Sequence, residues 1–239
     1  EGWTLLFDGK TLPTGLWVGA KKEWDCKKFP ERGWYVRDGA LAMRPMTQIA
    51  DGKWVPLPDE DRKMAGGGDI VTVKKYSDFE FKFDFRLTEA ANSGIKYFYN
   101  EGMHKSSCME YQVLEPGHPD YDKPNQSGVE HVHRIAALYD LIATPLADKA
   151  IKPLGQWNSG KVVSKGNHVE HWLNGVKVLE YERGSQAFRD AVKASKYATW
   201  GVDAAGAAQP WGEVKEGRLL LQDHSDSTVS FCNLKVKAL

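Results

Sequence analysis

Net charge is the first thing this sequence lacks. Its 32 Lys and Arg balance 32 Asp and Glu, so no overall field gathers nucleic acid or an anionic membrane surface, and a neutral partner is expected. Long apolar runs are also missing: no stretch approaches the roughly 20 residues of a membrane helix, and no bilayer span is expected. Cysteine is sparse. Cys26, Cys108 and Cys232 are an odd number with no close pair, which offers neither a zinc clip nor a redox motif and leaves one disulfide or none equally open. Helical periodicity is confined to Gln186 to Lys196, which disfavours an α/β fold. No repeat and no linker between two cores appears, so residues 1–239 read as one domain. The chain begins at Glu1 rather than Met, and removal of a leader, with a secretory signal as one candidate, is the expectation drawn from this.

What is present is strand. From Phe79 to Arg86 every second residue is Phe and the others are charged, the period-two mark of a half-buried strand. Phe79, Phe81, Phe83 and Phe85 are expected in a core between two sheets. Glu80, Lys82, Asp84 and Arg86 then face solvent or a groove. Further strand candidates run from Gly33 to Met43, Ile70 to Val73, Gly94 to Tyr99, Met109 to Leu114, Gly160 to Ser164, His168 to Leu173, Val176 to Glu182, Arg218 to Gln222 and Val229 to Val236. Asn174-Gly175 and Asp38-Gly39 sit between strand-like runs and favour type I′ hairpins, hence antiparallel pairing. Thr47 to Gly68 and Glu115 to Ala136 read as long loops over one face of the sandwich. The expected fold is an all-β sandwich of two antiparallel sheets with at most one or two short helices.

Several motifs could carry chemistry, and each has a structural reading beside it. Glu110 and Gln112 share one face of a strand, where an acid and an amide suit sugar hydroxyls and proton transfer; an ordinary solvent face is the alternative. Gln222 and His224 share a face at the end of another strand, and His224 is either an acid or base or the cap of a turn. Glu170 and Trp172 offer an acid with a sugar-stacking ring, with His171 on the opposite face; a Trp packed under a loop is the plainer explanation. Glu130-His131-Val132-His133, with His118 and Asp120 upstream, invites a divalent metal if the two His point the same way. Hydrogen bonding of substrate or loop by the same residues is the stronger reading. Gly66-Gly-Gly-Asp69 lacks the lysine and helix of a phosphate loop and reads as a turn. No Gly-x-Ser-x-Gly elbow is present.

A resemblance enters with the longer motifs. Trp3-Thr-Leu-Leu-Phe-Asp-Gly9, Gly68-Asp-Ile-Val-Thr72, Asn92-Ser-Gly-Ile95, Glu110-Tyr-Gln-Val-Leu114, Tyr139-Asp-Leu141, Trp157-Asn158, Val169-Glu-His-Trp-Leu-Asn-Gly175 and Leu221-Gln-Asp-His224 follow one another as the motifs of the 3-keto-disaccharide hydrolase family do. The chain resembles that family over nearly its whole length. The resemblance implies a concanavalin A-like jelly-roll sandwich with a concave sugar-binding face. It also implies a location in a bacterial periplasm or at the cell surface, and a glycoside substrate whose 3-hydroxyl has been oxidised to a ketone. Such a ketone acidifies the C2 proton, so a base can remove it, a cation can hold the enolate, and an acid can assist departure at C1 before water adds.

Carried onto this chain, the family motifs point to Arg86, Asn92, Glu110, Gln112, Asp140, Asn158, Glu170, Gln222 and His224, to which strand parity and proximity add Lys96 and His133. The roles expected are His224 or Glu110 as base and acid, Lys96 or Arg86 at the oxyanion, and Gln112, Asn158 and Gln222 on hydroxyls. Asn92, His133, Asp140, Glu170 and Trp172 complete the substrate contacts. The chain departs from the family at Arg134-Ile-Ala-Ala-Leu138, which lacks the glycine usual before the Tyr-Asp pair. Competing functions are a two-carboxylate glycosidase using Glu110 and Glu170, and a carbohydrate-binding module without catalysis.

Overall fold

Alternating Phe and charge along one nine-residue strand forces that strand between two environments, and the rest of the molecule supplies them. The computed structural model describes residues 2–20, 28–51, 53–101, 108–144, 150–200, 210–225 and 228–239. Its strands are β1 (Thr4–Leu5), β2 (Trp17–Gly19), β3 (Trp34–Arg37), β4 (Ala40–Met43), β5 (Thr47–Ala50), β6 (Lys53–Pro56), β7 (Ile70–Thr72) and β8 (Phe79–Leu87). They continue with β9 (Asn92–Tyr99), β10 (Met109–Leu114), β11 (Trp157–Lys165), β12 (His168–Leu173), β13 (Val176–Glu182), β14 (Arg218–Leu221) and β15 (Val229–Ala238). An eight-stranded sheet runs β13-β12-β11-β8-β15-β4-β3 with β1 on β15, and a five-stranded sheet runs β10-β9-β14-β7-β2. Every pairing is antiparallel. The expected all-β sandwich is what forms.

The core lies between the sheets. Phe79, Phe81, Phe83 and Phe85 are fully buried, each contributing on the order of 1.5–3 kcal/mol. Phe83 meets Tyr111 of the other sheet edge-on at 5.2 Å. A Cβ at Gly160, opposite Phe83 in register, would overlap its ring, so that strand must be bare there. The two hairpins turn as their sequences require, with Asp38 and Gly39, and Asn174 and Gly175, all at positive φ.

Two expectations change. Thr47 to Gly68 is not a bare loop: β5 and β6 pair as a separate hairpin, and a short helix α1 (Asp59–Arg62) follows. The helical stretch from Gln186 stops at Ala194 (α2), and Lys196–Thr199 is a 3-10 turn, because Ser195 leaves helical φ and ψ and caps the turn through its own side chain. Cys26 lies outside the described residues, while Cys108 and Cys232 are not in a disulfide.

One polar group crosses the core. His171 is fully buried; its Nδ1–H donates to the Ala136 carbonyl at 2.7 Å, so Nε2 accepts from the Tyr97 hydroxyl at 2.7 Å. The Tyr181 hydroxyl in turn donates to the Tyr97 oxygen at 2.6 Å. Burial pushes the His171 ring down from 6.5 to about 4, against the pull of the Ala136 bond. Because the unfolded ring binds a proton below about 6.5 and the folded one only near 4, the stabilising contribution is full above 6.5. It is expected to fall as pH drops through that window, by roughly 3 kcal/mol in all. An NMR titration of the ring checks this: a midpoint near 6.5 in the folded protein would sink the account.

Candidate active site

Strand parity sorts β9 and β10 into two faces. Ile95, Tyr97, Met109, Tyr111 and Val113 belong to the hydrophobic core, so Asn92, Gly94, Lys96, Glu110 and Gln112 point away from it. Register then places Lys96 directly across from Glu110 and Gly94 across from Gln112. Gln222 extends β14 by bonding its N–H to the Gly94 carbonyl at 3.0 Å, and by the same parity joins this face.

Lys96 Nζ lies 3.4 Å from Glu110 Oε2, with side-chain exposures of 3% and 6%. Gly94 makes this geometry attainable, since a Cβ there would overlap Glu110 Oε1. Burial pulls the Lys96 ammonium down, but the charges of Glu110 and Asp69 outweigh it and hold it above its ordinary range, so the group is a fixed cation. The side-chain amides of Asn92, Gln112 and Gln222 bond to no described residue, which leaves them free to meet a ligand.

A second group comes from the loop after β10. Gln112 N–H donates to the Ala137 carbonyl, Ala136 N–H to the Gln112 carbonyl and Tyr139 N–H to the Glu110 carbonyl, at 3.1, 2.8 and 3.0 Å, so the loop runs along the edge of β10. Asp140 follows with a φ of 66°. Its Oδ1 accepts from His133 Nε2 at 2.9 Å and its Oδ2 from the Lys196 backbone N–H at 2.9 Å. With Nε2 engaged as donor, a neutral His133 carries its lone pair on Nδ1, which is buried and bonded to no described residue. The His133 ring packs on Tyr139 at 4.8 Å. Lys196 Nζ stands over the Tyr139 ring, 4.2 Å from its centre and 5.4 Å from that of Tyr197. Burial, reinforced by Glu110 and Asp140, raises the Tyr139 phenol.

The structure therefore brings together Asn92, Lys96, Glu110, Gln112, Gln222, His133 and Asp140. It does not bring in the others. Arg86 points out of the opposite sheet and stacks on Trp157 at 4.9 Å. Glu170 and Trp172 share that outer face, where Trp172 Nε1–H donates to Glu170 Oε2 at 2.7 Å and Lys161 caps the ring at 3.9 Å. Parity put each pair on one face of its own strand, but that face is the far side of the sandwich. Asn158 points inward and pins a loop instead, accepting from Lys152 N–H and Asn174 Nδ2 at 2.9 and 2.8 Å. His224 is exposed: β14 ends at Leu221, so alternation no longer governs it. The two loop His also separate, because His131 takes a φ of 64° and lies half-buried near Asp122 and Glu130, which removes the convergent pair the metal reading needed. Among the described residues the one trio of prospective metal ligands is His168, Glu170 and Glu180, on the far face, and Lys177 Nζ already bridges the two glutamates at 3.3 and 2.6 Å. Sequence reasoning missed Tyr139 and Lys196 as site residues. The Tyr-Asp pair was a visible signal for the first; nothing local marks the second.

A family model described as a 3-keto-alpha-glucoside-1,2-lyase-like domain matches residues 2–237. A Bacteroides thetaiotaomicron protein named 3-keto-disaccharide hydrolase is 30% identical over a 254-position alignment that covers all of this chain and 79% of that protein. A Parabacteroides distasonis crystal structure, classed by name with the glycosyl hydrolases, is 27% identical with a TM-score of 0.71, covering 100% of this chain and 94% of that one. A second structure from that organism, 22% identical with a TM-score of 0.64 and full coverage of both chains, shares the fold.

Removing one partner of a buried ion pair costs about 3–5 kcal/mol, whereas removing both costs far less. Gly94→Ala is expected to displace the Glu110 carboxylate and incur a loss of that size, while the double variant Lys96→Met, Glu110→Leu recovers most of it. Urea unfolding of the three proteins checks this; a double variant as unstable as Gly94→Ala would count against the pairing.

Proposed function

The chain belongs to the 3-keto-alpha-glucoside-1,2-lyase-like family, and we propose that it cleaves the glycosidic bond of a 3-keto-glycoside by elimination across C1 and C2. It is a glycoside-cleaving enzyme, and the observation that carries the finer reading is the buried pair of Lys96 and Glu110 at 3.4 Å. A two-carboxylate glycosidase needs a second acid across the bond, about 5 Å away for retention or about 6.5–9.5 Å for inversion. Here the group beside Glu110 is an ammonium, Glu170 belongs to the outer face of the opposite sheet, and both carboxylate oxygens of Asp140 are engaged, by His133 Nε2 and the Lys196 backbone N–H. A carboxylate next to a fixed cation is instead what enolate formation asks for.

The steps follow from carbonyl chemistry. Glu110 takes the C2 proton, and the C–H pair moves into the C2–C3 bond as the C3 oxygen becomes an oxyanion against the Lys96 ammonium. The pair then returns: the C3 carbonyl re-forms, a C1–C2 double bond appears, and the C1 oxygen departs with its bonding electrons and takes up a proton. Addition of water to the enone completes net hydrolysis. Asn92, Gln112 and Gln222 supply free amides for the sugar hydroxyls. Asp140 holds the His133 ring in one tautomer, with Nδ1 bare. No step calls for a metal, and no convergent ligand set is present at these residues for one.

The test is incubation with a 3-keto-glucoside and with its unoxidised parent. Cleavage of the keto form alone is expected, with Glu110→Gln and Lys96→Met each lowering kcat/KM at least about 10²-fold. Cleavage of the parent at a comparable rate would favour a two-carboxylate mechanism, and binding of both sugars without turnover would favour a binding module.

A further inference from the structure

The elimination leaves one role without a residue: something must give a proton to the departing C1 oxygen, which is an alkoxide when the leaving group is a sugar. His224 is exposed beyond the end of β14. The Tyr139 phenol is raised by burial, which makes it a poorer acid. His133 offers a lone pair rather than a proton, because its Nε2–H is committed to Asp140. Lys96 is locked against Glu110.

We propose that Lys196 is the catalytic acid that protonates the leaving oxygen, an assignment that rests on the elimination reading above. Four observations support it. Its backbone is fixed, since the Lys196 N–H donates to Asp140 Oδ2 and Ser195 caps the same turn. Its side chain is steered over Tyr139 and towards Tyr197, and no carboxylate lies within ion-pair distance of Nζ among the described residues. It is half-buried where Lys96 is buried, so it is the more solvent-accessible of the two ammonium groups. Lastly, burial lowers its ammonium below the ordinary lysine range, with Lys96 adding to the effect and Asp140 and Glu110 opposing it, so the proton is easier to give up than that of a free lysine. In the step an N–H bond of Lys196 breaks, an O–H bond forms on the departing oxygen as C1–O breaks, and the neutral amine regains its proton from water.

Leaving-group acidity separates this role from any structural one. Lys196→Met is compared with the unaltered protein on a 3-keto-disaccharide and on a 3-keto 4-nitrophenyl glucoside, whose phenolate departs without help. The expected result is a loss of about 10²–10³-fold in kcat/KM on the disaccharide and only a few-fold on the aryl glycoside. The basic limb of the disaccharide pH profile is expected to disappear, since the facing groups Lys96, Glu110, Asp140, Tyr139 and Tyr197 all remain. Equal losses on both substrates would overturn the proposal in favour of a positioning role. So would a borohydride-trapped adduct of the 3-keto sugar on Lys196, which would make it a nucleophile. If the unaltered protein cleaves neither substrate, the elimination reading has failed and the assignment falls with it.

Discussion

A lysine ammonium and a glutamate carboxylate removed from water on adjacent strands set the terms for the architecture around them. Taking each ion out of water costs several kcal/mol, and their attraction offsets this only when the geometry is good. Lys96 and Glu110 meet that demand because register places them directly opposite and because residue 94 has no side chain to occupy the space of the carboxylate. Such a pair contributes little to stability by itself. The stability comes from the other face of the same strands, where Ile95, Tyr97, Tyr111 and Val113 pack against the phenylalanines of β8. The five-stranded sheet thus separates two tasks at a spacing of one residue: from Ile95 to Tyr97 and from Met109 to Val113, odd positions hold the fold together and the even positions Lys96 and Glu110 carry the charge.

The core also reaches the loop that completes the site. His171 comes from the eight-stranded sheet, yet its Nδ1–H fixes the carbonyl of Ala136, the residue from which the chain turns back along β10. Ala136 and Asp140 both take positive φ, a cost usually borne by glycine. The family's usual glycine before the Tyr-Asp pair would enter this turn without strain. Here alanine does so, held by the His171 bond and by its own N–H to the Gln112 carbonyl. The neutral state of His171 matters to this arrangement, since Nε2 must accept from Tyr97 while Nδ1 donates. Burial that keeps the ring uncharged therefore also keeps the loop in register with Glu110.

How far the sequence reveals this depends on the kind of order involved. The alternation in Phe79 to Arg86 and the Asp38-Gly39 and Asn174-Gly175 turns are local signals, and the sandwich followed from them. Lys96, Glu110 and Gln112 could be grouped because an unbroken strand preserves parity. The same rule could not sort out Arg86, Glu170 and Trp172, since parity says which residues share a face but not which side of which sheet that face is. It said nothing useful about His224, which lies past the last paired residue. Asn158 fell outside the strand expected from Gly160 to Ser164 and entered only through the family motif; β11 begins at Trp157, and its pairing with Phe85 turns Asn158 inward.

Lys96 and Lys196 show how one residue type is divided between two tasks by its surroundings alone. Lys96 lies within a strand, opposite a carboxylate, so its proton is held and its value is as a permanent charge. Lys196 lies at the start of a 3-10 turn with aromatic rings rather than a carboxylate beneath it, so the same ammonium is more readily deprotonated. The first also acts on the second: the fixed charge of Lys96 helps to lower Lys196, as a neighbouring cation does where lysines transfer protons or attack carbonyls. For the proposed elimination, a site that holds a negative oxygen at C3 and then releases one at C1 needs both kinds of cation. The fold supplies the first from sheet register and the second from a turn that nothing in the local sequence marks.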